Sequence, residues 1–270
     1  MSGLTQLRED AARLLAEGKV KLVIGYRAFG ERRCPAFAND PDGALKLVFD
    51  SSCRQNLAAY LSKSEIRMKY PVAVVAAPDA ARSLLVLAAE AQLKESEAVV
   101  LLMGADGEYH GAMGLAALAA QLKEKFAGRG PDEALRKRAA EIAALPAEER
   151  MRFWSGQFAK CTRCYACRAA CPNCYCPRCI VEKNVPQWVP AAATGHGNFI
   201  WNIIRAFHQA GRCTGCGACE AACPLGLPLG LLNASVAMDA AAFGGPPGYD
   251  PQAKPLIGSW RQEDDDTFIR

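Results

Sequence analysis

Two stretches of the chain carry cysteines at the same spacing, and this repeat constrains the fold more than any other feature. In each stretch, two residues separate the first three cysteines, three residues separate the third from the fourth, and proline follows the fourth. The stretches are Cys161, Cys164, Cys167 and Cys171 before Pro172, and Cys213, Cys216, Cys219 and Cys223 before Pro224. This is the spacing with which a chain binds two 4Fe-4S cubanes. It predicts a region organised around metal clusters.

The spacing also predicts which cysteines share a cluster. Three thiolates on one curled loop bind one cube, and the fourth cysteine heads the next helix and points towards the other cube. The predicted sets are Cys161, Cys164, Cys167 and Cys223 for cluster 1, and Cys213, Cys216, Cys219 and Cys171 for cluster 2. Structural zinc is the alternative, but it usually takes two short pairs of ligands rather than a doubled run of four. Crossed ligation places the cubes close together, which suits electron transfer.

Three further cysteines follow the first run at compact spacing. They are Cys174, Cys176 and Cys179, and a four-ligand site would need one more thiol. We predict a third 4Fe-4S cluster completed by Cys53; a zinc knuckle on the same ligands and free thiols are the alternatives. The remaining cysteine, Cys34, is expected to be an ordinary thiol.

Composition limits the other classes of function. Eleven of the 13 cysteines in the 270 residues lie between Cys161 and Cys223. The first residues carry charges from Arg8 onward and no apolar core of a signal peptide, so a cytoplasmic protein with metal-binding thiols is expected rather than a disulfide framework. The net charge of +4 is too small to indicate a nucleic-acid partner. No uncharged stretch is apolar enough for a membrane span.

The N-terminal half has the pattern of a small α/β domain, predicted over residues 1–130. An apolar strand at 72–77, a helix at 80–93 and a second apolar strand at 98–103 indicate a βαβ unit with parallel strands. The turn at 76–80 contains no glycine and carries Asp79, which disfavours a dinucleotide site. Other expected elements are an amphipathic helix at 1–18, a strand at 21–26, a helix at 53–61 and a mobile glycine-rich loop at 104–114.

The rest of the chain is predicted to form a bridging helix at 131–156, a two-cluster 4Fe-4S ferredoxin domain at 157–240 and an extended tail at 241–270. The charged helix is expected over 131–150, with Pro131 at its start. A helix is also expected at 198–211, with Ile200, Ile203, Ile204 and Phe207 on one face. Helices of this kind resemble the α-helical ferredoxin type of succinate dehydrogenase and heterodisulfide reductase subunits. The predicted fold class is therefore α+β, and the tail is expected either to be disordered or to lie along a surface.

Cationic side chains accompany the cysteine runs. Because a cube on four thiolates is negatively charged, nearby cations raise its reduction potential. The candidates are Arg163, Arg168, Arg178, Arg205 and Arg212, of which Arg163 and Arg168 are favoured for a tuning or docking role. His196 and His208 are expected to be surface or packing residues.

The segments 160–179 and 203–229 resemble iron–sulfur subunits related to the beta subunit of deazaflavin-reducing hydrogenase and formate dehydrogenase. Segments 53–61, 72–104 and 145–154 extend the resemblance. It implies a small α/β domain followed by a dicluster domain, with heterodisulfide-reductase-like flavoproteins, hydrogenases or formate dehydrogenases as partners. Two positions depart from the family, because Ala77-Pro78-Asp79 replaces a Gly-Cys-Asp turn and a cysteine near Gly104 is missing.

The expected function is that of a non-catalytic electron-transfer subunit in an oxidoreductase complex of anaerobic metabolism. Two or three 4Fe-4S clusters would relay electrons between a flavin subunit or ferredoxin and a catalytic subunit. Two alternatives remain open: an oxidoreductase subunit with its own FAD, and a regulatory or structural iron–sulfur protein.

Overall fold

The structure, a computed structural model, describes residues 2–104, 106–125, 132–182 and 185–243. Its strands are β1 (Leu22–Phe29), β2 (Arg32–Ala38), β3 (Val72–Ala76), β4 (Ala98–Met103) and β5 (Tyr109–Met113). Its helices are α1 (Gly3–Ala16), α2 (Pro41–Ala44), α3 (Ser64–Arg67), α4 (Pro78–Ala89), α5 (Leu115–Lys125), α6 (Glu133–Ala143), α7 (Ala147–Phe158), α8 (Ala166–Ala169), α9 (Gly195–Phe207), α10 (Ala218–Ala221) and α11 (Leu229–Ala242). Most of the predicted tail, residues 244–270, lies outside the described residues.

The five strands form one sheet in the order β2-β1-β3-β4-β5. The pairs β1–β3 and β3–β4 are parallel, whereas β2 and β5 join the two edges as antiparallel strands. Every residue of β3 is buried, as expected for a strand covered on both faces. Helices α1, α4 and α5 pack on the sheet and complete one apolar core. We call residues 2–104 and 106–125 the sheet region.

The predicted βαβ unit is confirmed, because β3, α4 and β4 follow one another and the two strands are parallel. The prediction of a mobile loop at 104–114 is wrong. Residues Tyr109–Met113 return along β4 as β5, after a turn in which Gly104 N–H donates to Glu108 O at 2.7 Å. Gly107 has φ +83°, which glycine adopts without steric cost.

The prediction of a helix over 53–61 is also wrong. Only Leu57–Tyr60 is helical, as a short 3-10 turn, and Cys53 lies in the turn before it. Asn56 accounts for the late start, because its side chain caps the turn by accepting from Ala58 N–H at 3.1 Å. This leaves Cys53 outside any helix.

The charged stretch predicted as one helix over 131–150 forms two helices, α6 and α7. Pro146 lies between them and serves as the N-cap of α7, since proline cannot continue a helix. The apolar side chains Leu135, Ala139, Ile142 and Leu145 of this stretch pack on a core together with Trp154 and Phe158 of α7 and residues of α9 and α11. Both helices therefore belong to the packing of the cysteine-rich region, which we define as residues 157–182 and 185–243. The expected start at Pro131 lies outside the described residues.

Helix α9 forms as predicted, and its apolar side chains Ile200, Ile203 and Ile204 are partly buried against neighbouring cores. Phe207 is exposed, whereas the buried side chains include Asn198, Trp201, Asn202 and Arg205. The reason is that α9 packs against the first cysteine run, whose free backbone carbonyls need donors. Accordingly, Asn198 Nδ2 donates to Cys161 O at 2.7 Å.

The sheet region and the cysteine-rich region contact each other through polar side chains. Arg212 forms a two-pronged ion pair with Glu90, at the C-terminal end of α4, in which Nη2 and Oε2 are 2.6 Å apart. Ser83 of α4 shares a hydrogen bond with Thr214 at 3.0 Å. No helix in the part of the chain that the structure describes is long and apolar enough to cross a membrane.

Candidate metal centre

Each cysteine run forms a loop that leads into a one-turn helix, and the two loops have the same backbone pattern. In the first loop, Arg163 and Tyr165 have φ values of 54° and 60°; in the second, Gly215 and Gly217 have 72° and 70°. Residues in this left-handed conformation make the chain curl. The first loop curls around Cys161, Cys164 and Cys167, and the second around Cys213, Cys216 and Cys219. The sequence repeat is thus a structural repeat.

The first group of thiols surrounds a small cavity of about 20 Å³. Its cysteines are Cys161, Cys164, Cys167 and Cys223, and we call this group site 1. The other lining side chains are mainly apolar and include Trp201, Leu225 and Leu227. Cys164 is exposed, so site 1 reaches the protein surface.

The second group of thiols lines a cavity of about 530 Å³ between the sheet region and the cysteine-rich region. Its cysteines are Cys171, Cys213, Cys216 and Cys219, and we call this group site 2. In both sites, three thiols come from one run and the fourth comes from the other. These are the sets that the spacing assigns to one cluster each, while ligation itself remains a prediction.

Two of the site thiols are buried where a thiolate without bound metal is unfavourable. Burial raises the pKa of Cys167 to about 11 and that of Cys213 to about 12. A thiol must lose its proton to bind metal, and burial disfavours the resulting thiolate. The positive charge of bound iron would stabilise that thiolate. Backbone N–H groups already point at sulfur, with Arg163 N–H 3.4 Å from Cys161 Sγ and Leu227 N–H 3.5 Å from Cys223 Sγ.

A single metal ion does not have a preformed site. Among the described residues, no three His, Cys, Asp or Glu side chains are grouped closely enough to hold one ion. In a cubane, each thiolate binds a different iron atom, so four thiolates lie farther apart than the ligands of one ion. The absence of such a group among the described residues therefore argues against a preformed site for one metal ion, such as zinc, and not against a cubane.

Site 2 receives hydrogen bonds from side chains of the sheet region. Asn56 Nδ2 donates to Ser83 Oγ at 2.9 Å, and Ser83 in turn shares a hydrogen bond with Thr214. Burial raises the pKa of the Cys216 thiol, and hydrogen bonding from Asn56 and Thr214 opposes that rise. Asn233 of α11 approaches Cys219, with Nδ2 3.8 Å from Sγ. Polar donors thus surround site 2 more fully than they surround site 1.

Arg205 of α9 lies between the two sites and is only 4% exposed. Its Nη2 donates to Cys167 O at 3.2 Å, and its charge partly offsets the burial that raises the pKa of the Cys219 thiol. Burial by itself would lower the pKa of this guanidinium, but the surrounding cysteines raise it. Those cysteines are Cys171, Cys174, Cys219 and Cys167.

The other cationic candidates have protein partners or face the solvent. Arg168 pairs with Glu182, with 2.8 Å between Nη1 and Oε1. Arg163 is buried and its Nη1 donates to Pro190 O and to Ala192 O, the latter at 3.2 Å. Arg178, His196 and His208 are exposed.

The residues of the predicted third cluster have different surroundings. Cys53 lines the site 2 cavity, and Cys174 Sγ accepts from Gln209 Nε2 at 3.6 Å. Cys176 is exposed, and Cys179 packs beside Val181. Neither of the two cavities is lined by Cys174, Cys176 or Cys179. The third cluster stays a prediction. Cys34 lies on β2, paired with Arg27 of β1.

Sequence reasoning missed the polar face of α9 and the asparagines of site 2. A signal was present, because Asn198, Asn202, Arg205 and Gln209 follow one another at intervals of four, three and four residues. These intervals place polar side chains on one face of a helix that connects two cysteine runs. No comparable pattern marks Asn56, since its partners are distant in the sequence.

Comparison with known proteins agrees with this geometry. Residues 160–228 match the family model of the 4Fe-4S dicluster domain. Over 105 residues, the chain is 32% identical to the F420-dependent formate dehydrogenase subunit beta of Methanocaldococcus jannaschii. That match covers 38% of this chain and 27% of the relative's length. The iron–sulfur interpretation and the resemblance to a formate dehydrogenase beta subunit are thereby confirmed: the chain carries a 4Fe-4S dicluster domain at residues 160–228.

Proposed function

We propose that the chain relays electrons through two 4Fe-4S clusters, one at site 1 and one at site 2. The observation that carries this proposal is the arrangement of the thiols. Each cavity is lined by four cysteines of the two runs, three from one run and one from the other, and Cys53 also lines the larger cavity. A fourth ligand from the opposite run is typical of two-cluster ferredoxins, in which the clusters exchange electrons.

The protein's own residues hold and tune the clusters, which when bound supply one-electron transfer. Thiolates provide the anchoring, and Trp201, Leu225 and Leu227 keep water away from part of site 1. At site 2, donors such as Asn56 and Thr214 favour the more negative, reduced state, because hydrogen bonds to sulfur raise the reduction potential. Nothing in this role requires a bond-making step by the chain itself.

We further propose that the chain works as a subunit of a multisubunit oxidoreductase. The relative in Methanocaldococcus jannaschii is named as a formate dehydrogenase subunit, which supports a redox complex. The partners would be a heterodisulfide-reductase-like flavoprotein, a hydrogenase or a formate dehydrogenase, with electrons passing between a flavin subunit or ferredoxin and a catalytic subunit. The match covers 27% of the relative's length, so we do not assign the relative's complete activity to this chain. The cytoplasmic location stays a prediction.

The test is reduction of the anaerobically purified chain, followed by absorbance and EPR spectroscopy. We expect reversible one-electron signals from two clusters and passage of electrons to a ferredoxin. Reversible signals without any transfer to a redox partner would favour the regulatory alternative. A flavin spectrum in the purified chain would favour the alternative with its own FAD.

The third cluster has its own test. Replacing Cys53 with serine should lower the iron content from about twelve to about eight atoms per chain if a third cubane uses that thiol. The matched control is Cys34→Ser, which changes a half-buried thiol of the sheet region that no predicted cluster includes. An unchanged iron count in the Cys53 variant would contradict the assignment.

A further inference from the structure

The buried guanidinium of Arg205 has no carboxylate to neutralise it. No ion pair with Arg205 occurs among the described residues, although the side chain is 4% exposed. Its Nε is buried and without a hydrogen-bond partner there. A buried, unpaired cation is strongly unfavourable, so such a group usually faces a negative charge. The protein atoms described do not provide that charge.

Both cysteine sites lie beside this guanidinium. Its Nη2 donates to the carbonyl of Cys167, a residue of site 1, at 3.2 Å, and its charge partly offsets the burial that raises the pKa of Cys219, a residue of site 2. Cys171, also of site 2, interacts with it electrostatically. Arg205 therefore bonds a residue of site 1 and interacts electrostatically with residues of site 2, rather than belonging to either site.

We propose that Arg205 is the shared counter-charge of the two clusters and sets the reduction potential of both. The inference rests on the proposed function, since it requires clusters at site 1 and site 2. A cubane on four thiolates is negative, and reduction adds another negative charge. A fixed cation between the sites stabilises the reduced form of each cluster. It also reduces the repulsion between two clusters that are reduced together.

Arg168 offers a matched comparison within the same region. It lies in the first cysteine run, but its guanidinium is paired with Glu182 and donates to Cys176 O at 3.0 Å. Its charge is already compensated by a carboxylate. Removing it should therefore change the cluster potentials far less than removing the unpaired Arg205.

The experiment is an EPR-monitored redox titration of the whole chain, with iron counted in every sample. The variants are Arg205→Gln, Arg205→Lys and the control Arg168→Gln. In Arg205→Gln, we expect both midpoint potentials to fall, each by an amount that makes reduction about tenfold less favourable, or ~59 mV for one electron. Arg205→Lys keeps the charge and should hold both potentials within about threefold of the parent, or ~30 mV on the same scale.

The outcomes separate this inference from the proposed function. Unchanged potentials in an iron-replete Arg205→Gln variant would overturn the shared counter-charge, and so would a shift of one cluster alone. If that variant loses iron, the lysine variant decides: an iron-replete Arg205→Lys in which both clusters are about tenfold harder to reduce, or ~59 mV lower in potential, contradicts a role of the charge. Absence of reducible clusters from the parent chain would refute the proposed function instead.

Discussion

Site 1 and site 2 have the same ligand spacing and the same loop conformation, yet their surroundings differ. Site 1 is a narrow cavity with mainly apolar walls, and one of its thiols, Cys164, reaches the surface. Site 2 opens into a cavity of about 530 Å³ that the sheet region covers. Asn56 and Thr214 bond a thiol at site 2. The difference shows how one repeated motif acquires two electrostatic environments from the chain packed around it.

The loops that curl around the two sites reach the same conformation by different means. The second loop uses Gly215 and Gly217 at its left-handed positions, where glycine has no steric penalty. The first loop uses Arg163 and Tyr165, which must be held there by other contacts. Tyr165 packs edge-on against Trp201 with ring centroids 4.9 Å apart, and Arg163 bonds the carbonyls of Pro190 and Ala192.

The largest expected effect comes from breaking one site while leaving the other intact. Cys223→Ser removes the fourth thiol of site 1 although the residue belongs to the second run. We expect iron to fall from about eight to about four atoms per chain, with the site 2 cluster retained. Cys171→Ser should do the converse. Iron analysis and EPR of both variants check this, and loss of the same cluster in both would rule out crossed ligation.

The next effect concerns the contact that holds the sheet region over site 2. Glu90→Ala removes the two-pronged ion pair with Arg212, whose side chains are about four-fifths buried. We expect the free energy of unfolding to fall by about 2 kcal/mol, between the values typical of exposed and buried pairs. Chelators should then remove iron from site 2 faster than from site 1.

The control for this change is Glu141→Ala, which breaks the exposed pair with Arg138. Exposed pairs contribute about 0–1 kcal/mol, so this variant should resemble the parent in urea unfolding and in iron release. Equal losses of stability in the two variants would mean that the Glu90 pair does not connect the regions.

Asn56→Ala tests whether hydrogen bonding at site 2 separates its cluster potential from that of site 1. It removes the hydrogen bonds to Ser83 and to the Cys216 thiol, so the potential of the site 2 cluster should fall while that of site 1 stays constant. The loss of stability should be about 1–2 kcal/mol. Asn202→Ala is the control, since its amide bonds Asn198 O rather than a thiol. Redox titration would contradict the account if both potentials moved together.

The smallest effect tests the two loops. Gly217→Ala meets open space but forces alanine to φ +70°, at a cost of about 1 kcal/mol in unfolding free energy. Tyr165→Gly relieves a similar strain but loses the contact with Trp201, so its net change should lie within about 0.5 kcal/mol of zero. Urea unfolding of both variants measures this, and the reverse order would show that Tyr165 is not held by Trp201.

The parts of the fold that the sequence predicted have local, apolar signals. The βαβ unit and the buried face of α1 follow from runs of apolar residues at strand or helix spacing. The edge strand β2 was missed because its sequence contains two arginines and Pro35, a composition that edge strands tolerate and central strands do not. The buried polar residues of α9 were missed because burial beside cysteines selects donors such as Asn198 in addition to apolar side chains.

The same distinction applies to the candidate site. Cysteine spacing suffices to name eight thiols, since the geometry of a cube is encoded within a few residues. The environment of those thiols depends on contacts between segments far apart in sequence, such as Ser83 with Thr214, 131 residues apart. Such contacts leave no periodic pattern, so Asn56 and the charge of Arg205 between two sites emerge only from the fold.

The central claim is that the repeated cysteine runs hold two cubanes. Its most direct test is the content of iron, acid-labile sulfide and zinc in the chain purified without oxygen. The account predicts about eight iron and about eight sulfide per chain, or about twelve of each with a third cubane, and negligible zinc. A chain containing stoichiometric zinc, or about four iron or fewer after full reconstitution, would contradict it.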